Sequence, residues 1–69
     1  MSDREERERR FDATWKALAD PTRRRILDLL HERPMTTSEI AREFALSRFA
    51  IMKHLSVLES AGLLIVARG

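Results

Sequence analysis

Helix caps and breakers fall so close together in this sequence that only short helices fit between them. Asp20-Pro21 closes one helix and opens the next: Asp20 can accept backbone N–H bonds as an N-cap, and Pro21 suits the first helical position, where no N–H is needed. Pro34 cannot continue that second helix, which is expected to end near His31 to Arg33. Thr36 followed by Glu39 is a capping box and starts a third helix. Ser47 caps a fourth, and Gly62 supplies its left-handed stop. Each interval carries apolar residues at helical spacing: Phe11, Trp15 and Leu18 with Thr14; then Ile26, Leu27, Leu29 and Leu30; then Ile40, Ala41 and Phe44; then Ile51, Leu55 and Leu58. After Gly62, Leu63 to Ala67 is a β-branched and aliphatic run that reads as a strand, and Arg68-Gly69 reads as the start of a turn. The expected fold is mainly α, four helices followed by one strand.

A chain of 69 residues has room for one domain, 1–69. A core of that size rarely supplies more than about 3–5 kcal/mol of net stability, and such domains often borrow more from a partner chain. With no Cys, neither a disulfide nor a thiolate metal site can contribute. Leu63 to Ala67 is the longest apolar stretch, far short of the ~20 residues of a membrane helix. The opening Ser2-Asp3-Arg4-Glu5-Glu6 is charged and of mixed sign, unlike a secretory signal, so a cytoplasmic protein with no membrane contact is expected. Residues 1–10 are expected to form a charged, solvated or frayed extension. Residues 1–20 carry five bases against six acids and residues 21–69 eight against five, so the net +2 is the sum of −1 and +3. A nucleic-acid footprint needs such bases gathered on one face.

Two helices joined by a tight turn, Thr37–Phe44 and Arg48–Ala61, form a helix-turn-helix if they cross steeply. Placed at helical pitch, Ala50, Ile51, Leu55, Val57, Leu58 and Ala61 fill one arc of the second helix. Arg48, Phe49, Met52, Lys53, Ser56, Glu59 and Ser60 fill the other. The outer arc brings cations and hydroxyls to where a recognition helix would meet base edges. Ser47, Arg48, Phe49, Met52, Lys53 and Ser56, with Thr37 on the preceding helix, are the candidate DNA contacts. Phe49 and Met52 are large apolar groups on a polar face, suited to thymine methyl groups or to another protein. An amphipathic helix with two wet cations is also commonplace in proteins that bind no DNA. His54 lies in the apolar arc as a boundary residue, and Arg23-Arg24-Arg25 is either a solvated helix start or a phosphate contact. Trp15 and Phe11 suit a core or a dimer contact. No nucleophile–base pair, carboxylate pair or phosphate-cradling Gly loop suggests an enzyme, and no cofactor is expected.

Two longer stretches carry a family resemblance. Leu18-Ala19-Asp20-Pro21-Thr22-Arg23-Arg24-Arg25-Ile26-Leu27 resembles the opening signature of ArsR-type winged-helix regulators. Ser47 to Leu55, followed by Val57-Leu58-Glu59-Ser60-Ala61-Gly62-Leu63, resembles their recognition helix and its exit into the wing. The likeness runs from about residue 11 to the end. It implies a winged helix-turn-helix, sequence-specific binding of double-stranded operator DNA, and most often repression. Ser47, Arg48, Phe49, Met52 and Lys53 match the family's groove-reading positions. It also implies a homodimer, in which the first helix (Phe11, Trp15, Leu18) pairs across a two-fold axis with a C-terminal helix. Metal sensors of the family carry two cysteines where this chain has Thr36 and Ser38. Hydroxyls do not replace thiolates for a soft metal, so the chain resembles a metal-independent subgroup. Many members have Gly in the turn where Ala45 stands. The family's second wing strand and C-terminal helix have no counterpart, which implies a truncated wing.

Overall fold

Each helix begins at an oxygen-bearing side chain that caps it. The computed structural model describes residues 2–66 and contains α1 (Asp3–Leu18), α2 (Pro21–Glu32), α3 (Thr37–Phe44) and α4 (Arg48–Ser60). Ser2 accepts from the Glu5 amide at 3.3 Å, Asp20 from Arg23 at 3.0 Å, and Ser47 from Ala50 at 3.1 Å. At α3 the capping box is complete: Thr36 Oγ1 accepts from the Glu39 amide at 3.1 Å, and Glu39 Oε1 accepts from the Thr36 amide at 3.0 Å. These bonds satisfy amides that a helix start otherwise leaves to water.

The N-terminal residues are solvated as expected, but from Asp3 onward they are helical and continuous with the Phe11 stripe. Three acids in the first turn, Asp3, Glu5 and Glu6, complement the helix dipole. Arg4–Glu8 at 3.4 Å and Glu6–Arg10 at 3.8 Å add pairs worth about 0.2–0.5 kcal/mol each.

Helices α3 and α4 end alike. Ala45 takes the left-handed conformation (φ 54°, ψ 38°), and the next amide, Leu46, bonds back to Ala41 O at 3.0 Å. Gly62 (φ 75°) does the same job after α4, with Leu63 N bonded to Leu58 O at 3.0 Å. Both are Schellman-type stops.

The buried core is Ala17, Ile26, Ile40, Ala41, Ile51, Leu55 and Leu58. Helix α4 supplies three of these and packs on all the others. Val57, assigned to the apolar arc, is instead exposed: it stands about 100° around the helix from Leu58, at the rim of that arc. From α1 only Ala17 is buried, while Phe11 and Trp15 remain 62% and 61% exposed. Leu63 and Leu64 pack against the core, but residues 63–66 form no strand, because no ladder of backbone hydrogen bonds joins them to another described segment. The expected strand's last residue, Ala67, and the turn at Arg68-Gly69 lie outside the described residues. Among the described residues no helix is long and apolar enough to cross a membrane.

Candidate nucleic-acid interface

Two residues, Ala45 and Leu46, separate α3 from the cap of α4, and the left-handed Ala45 with the extended Ser47 redirects the chain within that short span. Burial of Ile51, Leu55 and Leu58 fixes the roll of α4, and the opposite side faces solvent. Arg48, Phe49, Met52, Lys53 and Ser56 are all exposed there, Phe49 at 68% and Met52 at 56%. Lys53 Nζ lies 5.0 Å from the Phe49 ring centroid, a cation–π contact that gathers the two on one spot. Ser47 is exposed at the head of this face; its Oγ accepts the Ala50 amide, leaving the hydroxyl hydrogen to donate.

Thr37 is placed apart from this group. It is half-buried at the first position of α3 and lines a separate cleft with Leu30, Met35, Leu55 and Leu64. Leu18 is half-buried, while Phe11 and Trp15 meet edge to face at 5.8 Å between centroids on the exposed side of α1.

The arginine run is engaged within the protein. Arg23 donates from Nε to Ala17 O at 2.7 Å and from Nη2 to Lys16 O at 3.0 Å, and Arg24 donates to Leu18 O at 2.6 Å. These guanidiniums cap the carbonyl end of α1, where the dipole favours cations. Arg25 lies 5.0 Å over the Phe44 ring. Arg23 Nη1 also reaches Nδ1 of His54 at 3.5 Å, and that nitrogen lies 4.0 Å from Asp20 Oδ2. His54 is thus a boundary residue that ties α4 to the α1–α2 corner. The signal in the sequence was a run of cations placed just beyond a helix end.

Electrostatics follow the caps. The Arg23 amide, aided by the charges of Arg23 and His54, outweighs partial burial and holds the Asp20 carboxyl below its ordinary value. The Thr36 amide and hydroxyl, with the charges of Arg33 and Arg42, do the same for Glu39. Among the described residues no group of three or more His, Cys, Asp or Glu comes together as metal ligands would.

Residues 18–67 match a family model described as a helix-turn-helix domain. The chain belongs to the helix-turn-helix domain family. Over 75% of its length it is 46% identical to the HTH-type transcriptional regulator Rv2034 of Mycobacterium tuberculosis, covering 49% of that protein. It is 49% identical over 68% of its length to the transcriptional repressor SdpR of Bacillus subtilis, covering 52% of it. It is 51% identical to the uncharacterized HTH-type transcriptional regulator YuzN of the same organism, with 75% of this chain and 64% of that protein covered. The helix-turn-helix chain thus spans between 49% and 64% of the length of these relatives. No solved structure gives a significant match.

Proposed function

We propose that this helix-turn-helix domain binds double-stranded operator DNA as part of a cytoplasmic transcriptional repressor of ArsR type, with α4 in the major groove. The observation that carries this reading is the outward face of α4, where Arg48, Phe49, Met52, Lys53 and Ser56 stand exposed opposite a buried Ile51–Leu55–Leu58 seam. Arg48 and Lys53 reach base edges, Phe49 and Met52 meet thymine methyl groups, and Ser47 and Ser56 donate hydroxyls. Thr37 contributes from the head of α3 on the backbone side. The relatives named as transcriptional regulators, one of them a repressor, support the regulatory role.

Two chains pair across α1 through Phe11, Trp15 and Leu18, placing two recognition helices about 34–36 Å apart on a palindromic site. Leu63 and Leu64, packed against the core after α4, lead toward a wing. No thiol-seeking metal acts at α3, because Thr36 there is committed to the capping box.

Fluorescence anisotropy on a duplex from the gene's own promoter, titrated across salt concentrations, tests the reading. Arg48→Ala or Lys53→Ala weakens operator binding by about 1–3 kcal/mol and relaxes discrimination at one position. Unchanged affinity and specificity in both variants overturns the groove assignment. The exposure of Phe49 and Met52 also favours a second reading, a winged-helix module that grips another protein through those two anchors. Such a module lacks strongly salt-dependent DNA retention.

A further inference from the structure

His54 is half-buried where α4 meets the corner between α1 and α2, and one atom of its ring has two partners of opposite demand. Nδ1 lies 3.5 Å from Nη1 of Arg23 and 4.0 Å from Oδ2 of Asp20. In the neutral imidazole with its proton on Nε2, Nδ1 carries a lone pair and accepts from the Arg23 guanidinium. Once protonated, Nδ1 can only donate, so it stands beside a like charge on one side and faces a carboxylate on the other. Both partners are fixed from elsewhere. Arg23 is held by Ala17 O and Lys16 O, and Asp20 Oδ2 by the Arg23 amide at 3.0 Å as the cap of α2. A change of partner therefore moves the ring, and α4 with it, rather than the corner.

Among the described residues, Arg23 and Asp20 are the charged side chains in contact with the ring. Elsewhere on α2, Arg24 is turned to Leu18 O and Arg25 to Phe44. The charged side chains of α1 nearest the corner, Asp12 and Lys16, and those of α3, Glu39, Arg42 and Glu43, make no hydrogen bond or ion pair with the ring. On α4 itself, Lys53 is turned to Phe49, and Glu59 stands about 140° around the helix from His54. The Arg23 amide holds the Asp20 carboxyl below its ordinary value, so Asp20 stays anionic over the range in which an imidazole exchanges its proton. We propose that His54 is a positioning residue for the DNA-reading helix, holding α4 in its reading position through Arg23 when neutral and drawing it toward Asp20 when protonated. Operator affinity then falls on acidification. The inference rests on the operator-binding reading above.

The test is anisotropy on the promoter duplex at constant ionic strength, between about pH 7.5 and 5.5. The sign separates two effects. A cation merely gained near DNA tightens phosphate binding. Loss of the Arg23 link is expected to weaken binding by about fivefold, the worth of one hydrogen bond. His54→Asn, whose side-chain oxygen accepts but takes up no proton in this range, is expected to bind nearly as the unaltered chain does at the upper pH and to lose the fall. His31→Gln removes the other histidine and is expected to keep it. Equal circular dichroism at both pH values excludes unfolding. Independently of any variant, the nitrogen resonances of His54 should show Nδ1 as an acceptor at the upper pH and as a protonated donor at the lower. An affinity that stays level or rises on acidification, a fall that survives in His54→Asn, or an Nδ1 protonated throughout overturns the positioning role and leaves operator binding standing. A chain that binds the duplex at neither pH overturns both.

Discussion

Ala45 and Gly62 occupy the same place in the same helix stop, so exchanging their side chains isolates the energy of one backbone conformation. At Ala45 (φ 54°) the β-carbon crowds the backbone in a way that costs an L-residue about 1–2 kcal/mol. Replacing it with glycine removes that cost but frees the unfolded chain, which returns about 0.4–1 kcal/mol. Ala45→Gly is therefore expected to stabilise by about 0.5–1 kcal/mol, raising the melting temperature by roughly 2–8 °C in a domain of this size. The mirror substitution is clean: a β-carbon added at Gly62 (φ 75°) meets no atom within 4 Å. Gly62→Ala should thus lose about the same 0.5–1 kcal/mol through the backbone alone, and the double variant should return near the starting stability. Ala19, at φ −71° after α1, is the control, because glycine there only loosens the chain and destabilises. Urea and thermal denaturation followed by circular dichroism, at one fixed protein concentration, measure all four variants. If Ala45→Gly destabilises as Ala19→Gly does, Ala45 is not left-handed and the turn geometry argued from it is wrong.

Three other outcomes follow from the contacts described. Asp20 and Glu39 both bind protons less readily folded than unfolded, so their contribution is complete above the ordinary carboxylate range and is lost as pH falls through their depressed values; helicity should decline below about pH 4, and Thr36→Ala should both cost about 1 kcal/mol and blunt that acid response. Arg23→Ala should lower stability by about 1–2 kcal/mol in a urea titration, and Arg23→Lys should not restore it, since an ammonium cannot span Ala17 O, Lys16 O and His54 together; full restoration by lysine would contradict the clamp. Trp15→Ala should change the stability of the isolated chain by about 1 kcal/mol at most, yet shift sedimentation toward monomer; identical sedimentation at every concentration would remove α1 from the pairing proposed.

Local chemistry made most of the fold legible. Every cap assigned from the sequence, from Asp20 to Gly62, is seen, because a capping oxygen and its target amide lie within three residues and depend little on the rest of the chain. The inward residues of α4 were equally plain, while Val57 showed the limit: a wheel gives direction, but the neighbouring helices decide how wide the covered arc is. Ser2 as a cap for α1 is not legible in the sequence, because no apolar rhythm follows it and a helix of charged residues has no buried face to announce it. Non-local partners were hidden altogether. Nothing in Arg23-Arg24-Arg25 says which carbonyls or which histidine they reach, since those contacts arise only once the α1–α2 corner closes.

Arg23 and Arg24 together bond the last three carbonyls of α1, and Arg23 reaches His54 on α4 with the same side chain. The corner is therefore closed by side chains of the protein itself. The distance from the exposed Phe11–Trp15 pair to the outward face of α4 is accordingly set in advance, as on a calliper whose jaws have been locked. In a pair joined along α1 as proposed, that setting would carry over, and the separation of the two outward α4 faces would become a dimension written in four arginine bonds.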